Sequence, residues 1–198
     1  MGAVAAGQMI AVVLLDGFTR AGYDTNRNWV SQLALGPRGW LGYLNFALCG
    51  AWLVAYAIGL HLRLRPNPAA RWAVALVLAC AVFLVVLTVF PTDSGLGFPP
   101  DTPAAHTRHG LIHQWAAAGL FAAGVGAAVL LGTCIGSTRW GLIVGFVMLA
   151  AFVVAWVLVV LDLRGVSPGA PSGLFERVAL FTGFAWMGAV GLALRRSR

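Results

Sequence analysis

Six long apolar runs, separated by short polar stretches, make up the most prominent pattern along the chain. They cover residues 2–18, 40–62, 71–90, 105–134, 139–162 and 174–194. A helix needs about 20 apolar residues to cross the roughly 30 Å of hydrocarbon in a bilayer. The pattern therefore predicts an all-α fold: a polytopic bundle of six transmembrane helices that forms a single domain over residues 1–198.

Composition supports a membrane location. Hydrophobic residues make up 60% of the chain and charged residues only 10%, with a mean hydropathy of +0.86. So few charges cannot cover a protein surface that faces water. The basic residues are all arginine, and alanine, glycine, valine, leucine and proline are abundant, which suggests a GC-rich genome. We therefore expect a multi-pass protein of a bacterial cytoplasmic (inner) membrane, with the lipid bilayer as its first partner.

Charge is distributed unevenly between the two sides of the predicted bundle. The side that holds the connections after the first, third and fifth runs carries six arginines and six acids, so its charges balance. The other side has no acid and holds the remaining arginines: Arg63, Arg65, Arg71, Arg139, Arg195, Arg196 and Arg198. Cytoplasmic connections are enriched in basic residues, which predicts that both termini are cytoplasmic. The net charge of +7 thus indicates orientation and contact with lipid, and not nucleic-acid binding.

Two local patterns predict elements on the outer, charge-balanced side. Residues 26–35 are typical of a short interfacial helix that covers this face and ends at Gly36 and Pro37. Thr102 followed by Pro103 predicts the start of the fourth helix, with threonine as N-cap and proline in the first turn. This start would place three histidines on one face of that helix, at spacings of three and four: His106, His109 and His113.

These histidines are the strongest candidates for metal chemistry. The pair His109 and His113 has the spacing by which one helix face offers two imidazoles to zinc or another divalent metal. Asp93 is the first candidate for a further ligand. The secondary candidates are His106, Asp16 and Glu176. A purely structural role, in which the histidines hydrogen-bond to the outer carboxylates, is the more common outcome for such a pattern, so both hypotheses stay open.

Haem binding is not expected from this arrangement. Bis-histidine ligation needs two histidines on facing helices at a similar depth. His61, the fourth histidine, lies at the opposite membrane face, about 30 Å from the cluster.

Arginines on the outer side form a second candidate site. Arg27, Arg108 and Arg20 could bind an anionic lipid headgroup, since a guanidinium group can bind two phosphate oxygens at once. The alternative is a lattice of ion pairs, which the equal numbers of arginines and acids favour. Asp93 could orient or deprotonate a metal-bound water, or it could simply cap backbone N–H groups in an Asx turn.

Three motifs in the chain are familiar. Residues 28–41 (NWVSQLALGPRGWL), 89–93 (VFPTD) and 109–113 (HGLIH) resemble the domain of unknown function 998 family of prokaryotic membrane proteins. The resemblance covers most of the chain and implies a six-helix membrane protein, with no activity attached.

A looser similarity is to seven-helix membrane hydrolases, including alkaline ceramidases and adiponectin-type receptors, in which a serine, an aspartate and a His-x-x-x-His pair surround zinc. It implies Ser31 and Asp93 as catalytic residues, with His109 and His113 as zinc ligands. This chain departs from that class in having six apolar runs and in carrying its histidine pair on the fourth.

Together these features predict an outward-facing polar site of histidine, aspartate and arginine. The leading hypothesis is recognition or metal-assisted hydrolysis of a lipid or envelope metabolite, and such an enzyme would be a metal-dependent membrane hydrolase. A non-catalytic structural or partner-binding subunit is the alternative, and either form is compatible with an oligomer. A small-solute transporter is third, because no charged residue lies near the middle of a run, where transporters bind their substrates.

Overall fold

Six long helices account for most of the chain in the computed structural model, which describes residues 1–196. In chain order they are α1 (Gly2–Thr19), α2 (Trp40–Leu64), α3 (Pro68–Val89), α4 (Arg108–Cys134), α5 (Thr138–Leu163) and α6 (Ser172–Arg196). Each is long and apolar enough to cross a membrane, and residues 1–196 contain no strand, so the prediction of an all-α fold with six spanning helices is confirmed. The sidedness of the termini stays a prediction, and Arg198, one of the arginines behind it, lies outside the described residues.

The helices close into a ring. Each packs against its neighbours in the chain, and α1 packs against α6. The short connections 65–67 and 135–137 lie at one end together with the start of α1 and the end of α6; we call this the arginine end. The longer connections 20–39, 90–107 and 164–171 lie at the opposite end, which we call the polar end. This topology brings all six acids of the chain to the polar end.

Small and amide side chains hold neighbouring helices together. A Cβ added to Gly132 of α4 would lie 2.8 Å from the Cα of Gly141 in α5, so the two helices touch through their backbones. The small-residue spacing of the sequence predicts this close hairpin, which the structure confirms. Asn45 of α2 has the interhelical partner expected of a deep amide, because Gln8 of α1 donates a 3.1 Å hydrogen bond to its side-chain oxygen.

The outward faces of the helices are apolar and suit contact with lipid. Phe146, for example, is exposed in the middle of α5. Four tryptophans are exposed near helix ends, where indole rings favour the headgroup level of a bilayer: Trp40 and Trp115 toward the polar end, Trp72 and Trp140 toward the arginine end. The distribution of apolar side chains and tryptophans over the surface therefore agrees with the prediction of a multi-pass membrane protein.

The start of α4 differs from the sequence-based prediction. The helix begins at Arg108, with Thr107 as N-cap, and not at Thr102 and Pro103. The hydroxyl of Thr107 accepts the N–H of Gly110 at 3.0 Å, which fixes the N-terminus. His106 therefore lies outside the helix, and the prediction of three histidines on one helical face was wrong for this residue.

The predicted short helix over residues 26–35 is real but smaller. Only Val30–Ala34 is helical, as a 3₁₀ helix. Before Val30, side-chain oxygens accept backbone N–H groups that a longer helix would use for its own hydrogen bonds. Asp24 accepts the N–H of Asn26 at 2.8 Å, and Gln32 accepts the N–H of Trp29 at 3.0 Å. The sequence pattern identified the element, and these local hydrogen bonds set its length.

Candidate functional site

Ion pairs connect the first and last parts of the polar end. Asp16 bonds to Arg20 at 2.5 Å and to Arg38 at 2.6 Å. A carboxylate in the last turn of α1 opposes the helix dipole, which predicts a basic partner, either Arg20 or an arginine of another outer loop, and the pairing with Arg20 is found. Arg27 donates two hydrogen bonds to Asp162, at 2.6 and 2.9 Å. This hydrogen-bonded contact raises the pKa of Arg27 above its usual value. An ion-pair lattice is therefore present, but among residues 1–196 it involves only these two acids.

The three arginines predicted to bind a headgroup have different surroundings. Arg20 is buried and donates to the backbone carbonyls of Leu33 and Leu35, at 3.0 and 2.9 Å, in addition to its ion pair. Arg27 is engaged by Asp162. Arg108 is exposed at the start of α4 and forms no ion pair with any described residue; it borders a shallow depression of about 340 Å³. Of these three, only Arg108 is both exposed and without an ion pair among residues 1–196.

A second set of contacts holds the connection 20–39 against α6. Glu176 is buried and accepts the backbone N–H of Val30 at 2.6 Å. Arg177 donates to the carbonyl of Asn28 at 2.9 Å and to the hydroxyl of Tyr23. Burial raises the pKa of Tyr23 above its ordinary value. Glu176, a secondary candidate for the metal site, is thereby committed to the backbone of the connection.

Two amides join the connections to each other; sequence reasoning placed Gln32 in an outer polar layer but did not single out Asn28. Gln32 donates to the carbonyl of Gly95 at 2.6 Å, and Asn28 donates to the carbonyl of Leu96 at 3.1 Å. Both amides lie within residues 28–41 and are four residues apart. This spacing makes two side chains of a helix neighbours, and it was the signal that could have identified the pair. They position the loop 90–107 beside the 3₁₀ helix.

Asp93 supports the start of α4. Its carboxylate accepts the N–H of Thr107 at 2.8 Å and the hydroxyl of the same residue at 2.7 Å. A Cβ at Gly110 would lie 1.9 Å from a carboxylate oxygen of Asp93, so any larger residue here would displace that carboxylate. Asp93 thus caps a backbone N–H group, as one of the two sequence-based hypotheses proposed. The group belongs to Thr107, fourteen residues along the chain, and not to a local Asx turn.

The structure separates the three histidines of the cluster. His106 is exposed in the loop, and His109 is exposed on α4, where its ring meets Phe90 edge-on at 5.7 Å between centroids. His113 is only 2% exposed, and its Nδ1 lies 2.7 Å from the carbonyl oxygen of Phe90. A carbonyl only accepts, so Nδ1 carries the hydrogen and donates, which leaves the lone pair of a neutral imidazole on Nε2. This Nε2 is buried and has no hydrogen-bond partner among residues 1–196.

Beside His113 lies a cavity of about 310 Å³, which we call the polar-end pocket. The 3₁₀ helix, the loop 90–107, α4 and α5 surround it. Its polar wall is formed by Ser31, Gln32, Thr92, Asp93, Ser94, His106, His113 and Gln114, and its apolar wall includes Trp29, Ala117, Trp156, Val159, Val160 and Leu163.

The polar-end pocket brings together only part of the predicted site. Ser31, Asp93, His106 and His113 line it. The other predicted residues lie elsewhere: His109, Arg20, Arg27, Arg108, Asp16 and Glu176. The side chains of residues 1–196 contain no group of three or more histidines, cysteines, aspartates or glutamates that could hold a metal ion. Zinc binding stays a prediction, and His113 is the candidate ligand with an uncommitted nitrogen.

The chain was also compared with known proteins. A family model described as "Protein of unknown function (DUF998)" matches residues 3–193. No curated protein and no solved structure matches the chain.

Proposed function

We propose that this chain, which belongs to the DUF998 family of proteins of unknown function, binds a lipid or an amphipathic envelope metabolite in its polar-end pocket. The ligand carries a hydroxyl or ammonium group that donates a hydrogen bond to His113. The observation that carries the proposal is the buried Nε2 of His113, which lacks a partner among residues 1–196 while its ring lines the pocket. A buried polar atom without a partner is costly, and a ligand that supplies one recovers that cost.

The chemistry of the wall favours a donor over an anion. With Nδ1 bound to Phe90, the neutral ring of His113 offers an acceptor, and Asp93 adds a carboxylate nearby. Arg20 and Arg27, which would attract a phosphate, are engaged with Asp16 and Asp162 and do not line the pocket. An ammonium or hydroxyl headgroup therefore fits this wall better than an isolated phosphate does.

The apolar wall supplies a place for an acyl chain. Trp156, Val160 and Leu163 follow one another along α5 and line the pocket. Leu163 is 58% exposed at the end of this helix, so the wall continues onto the surface that suits lipid. A molecule with one polar head and one apolar tail can thus contact both parts at once.

Recognition is better supported than hydrolysis. A metal-dependent hydrolase at this site would need His113 together with further ligands at the same ion. Asp93 is bound to Thr107, and His109 packs on Phe90 outside the pocket. The proposal therefore stops at binding, and elemental analysis of metal-replete protein tests the hydrolytic extension separately.

Two phospholipids that differ in donor capacity provide the test. Purified full-length protein is mixed in detergent with phosphatidylethanolamine, whose ammonium donates hydrogen bonds, or phosphatidylcholine, whose quaternary ammonium does not, and retained lipid is measured by native mass spectrometry. We expect wild type to prefer phosphatidylethanolamine about tenfold, the effect of one buried hydrogen bond of about 1.4 kcal/mol. His113→Phe keeps the ring but removes the acceptor, and should abolish the preference. His109→Phe, four residues away and outside the pocket, is the matched control.

A second variant covers the case in which His113→Phe does not fold. Ala104 is exposed and lines the pocket from the loop, so Ala104→Trp occludes the cavity without changing a buried position. It should reduce retention of the donor lipid while the protein stays folded. Equal retention of the two lipids by wild type, or an unchanged preference in both pocket variants, would overturn the proposal.

A further inference from the structure

A second cavity lies at the arginine end, on the opposite side of the bundle from the polar-end pocket. It has a volume of about 230 Å³ and lies between α2 and α6, beside Met1. Tyr56 and Gly59 line it from α2, and Gly191 and Arg195 line it from α6. We call it the arginine-end pocket.

The hydroxyl of Tyr56 is the unusual feature of this pocket. Tyr56 is only 5% exposed, and its hydroxyl is buried with no hydrogen-bond partner in the described part of the chain. One edge of the ring packs closely against α1 and α6, because a Cβ added at Gly2 or Gly191 would lie 3.0 or 3.2 Å from the same ring carbon. The side chain therefore has little room to turn its hydroxyl elsewhere. A buried donor without a partner, on a residue that lines a cavity, calls for an acceptor from that cavity.

The charge around the pocket indicates what kind of acceptor fits. All six acidic side chains of the chain lie at the polar end, so the charged side chains at this end are basic. Arg195 is exposed in the last turn of α6 and lines the pocket. Arginines at this end are expected from orientation alone, whereas an unpartnered buried hydroxyl beside them is not. A tyrosine donor and a guanidinium group together match a phosphate, which offers several acceptor oxygens and negative charge.

We propose that the arginine-end pocket binds a phosphate group, with the hydroxyl of Tyr56 donating to one oxygen and Arg195 pairing with the negative charge. A lipid headgroup and free phosphate share this chemistry. The open space over Gly59, where an added Cβ would meet no described atom within 4 Å, leaves room for the rest of a lipid headgroup. This site does not involve His113, so a test of it is independent of the test of the proposed function.

The test uses full-length protein in three preparations: nanodiscs of phosphatidylcholine, the same nanodiscs with added phosphatidic acid, and the first preparation with inorganic phosphate. Retained lipid is counted by native mass spectrometry, and the melting temperature is followed by tryptophan fluorescence. We expect phosphatidic acid to be enriched around wild-type protein and to raise its melting temperature. Stabilisation by inorganic phosphate alone would identify the free ion as sufficient, and stabilisation by phosphatidic acid alone would identify the lipid.

Tyr56→Phe removes only the unpartnered hydroxyl, so the variant should fold as well as wild type. We expect it to lose about tenfold in phosphate or phosphatidic acid affinity, the usual effect of one hydrogen bond to a charged group. Tyr43→Phe, on the same helix but outside the pocket, is the matched control and should bind normally. Gly59→Leu fills the open space and should block the lipid, and His113→Phe should leave this binding unchanged.

Either of two results would overturn the proposal. If Tyr56→Phe and Arg195→Gln both bind phosphatidic acid and phosphate as wild type does, the pocket is not a phosphate site. If neither probe binds wild type at all, the conclusion is the same.

Discussion

The connection 20–39 and the polar-end pocket adjoin at the same end of the bundle, yet every side-chain nitrogen of Arg20 in the connection has a partner, whereas His113 in the pocket has one nitrogen without a described partner. In the connection, Arg20, Asn28 and Gln32 are buried and each is bound to other parts of the protein. Arg177, which anchors the connection, lacks a partner only at Nε, while both terminal nitrogens donate. In the pocket, His113 has one nitrogen bound to the backbone and one with no described partner.

This difference separates structural polar residues from candidates for ligand binding. A buried group that the protein already satisfies contributes to stability and has nothing left to offer a ligand. A buried group left unsatisfied beside a cavity costs stability until a ligand arrives. We therefore expect substitution of Asp16, the partner of Arg20, to lower stability and substitution of His113 to change binding.

The largest effect is expected from Asp16→Asn. Arg20 would lose its ionised partner while staying buried, and breaking a buried ion pair from one side typically costs about 3–5 kcal/mol. The apparent stability can be followed by thiol labelling, because Cys49 and Cys80 are buried and react only when the bundle opens. Asp101→Asn, an exposed acid at the same end, is the control. A melting temperature equal to that of the control would show that the connection is not held by this pair.

An intermediate effect is expected from Gly110→Ala. The new methyl group would displace Asp93 from Thr107 and remove the support of the α4 N-terminus, which we expect to cost about 2 kcal/mol. Because Asp93 lines the pocket and His113 lies on the next turn of α4, retention of phosphatidylethanolamine should fall as well.

Gly7→Ala in α1 is the matched control for Gly110→Ala, since an added Cβ there meets no described atom within 4 Å and Gly7 does not line the polar-end pocket. Thermal unfolding and native mass spectrometry of the two variants give both measurements. A Gly110→Ala protein with wild-type stability and retention would contradict the supporting role of Asp93.

The smallest effect is expected from Arg108→Gln. Arg108 is exposed, forms no ion pair among residues 1–196 and lies outside the polar-end pocket. Its removal should change the free energy of unfolding by no more than about 0.5 kcal/mol and leave retention of phosphatidylethanolamine unchanged. A clear loss of retention would extend the binding site to Arg108 and restore the anionic-headgroup hypothesis for this end.

Local patterns in the sequence predicted some contacts well. Asp16 and Arg20 are one helical turn apart, so their pairing follows from helix geometry alone. Gly132 and Gly141 lie on either side of a short turn, so their contact needs only an antiparallel hairpin. The partner of Asp162 was not predictable in this way, because Arg27 lies 135 residues away and only ring closure brings the two together.

The histidine cluster illustrates the same limit. Thr102 and Pro103 satisfied every local rule for a helix start, but Asp93 and Thr107 together cap the helix five residues later. That shift moved His106 into the loop and left His109 outside the cavity that His113 lines. Spacing of three and four along a helix places side chains on one face, but it does not determine what faces them.

The sequence by itself determined the architecture of this protein. A helix that crosses a membrane must satisfy its own backbone and present an apolar surface, and both requirements are written into local composition. Only the tertiary structure decided which polar groups are satisfied and which are not. A hydrogen bond at Arg20, His113 or Tyr56 requires an atom of another segment to lie within about 3 Å of the side chain. Composition and periodicity do not determine the positions of distant segments that accurately.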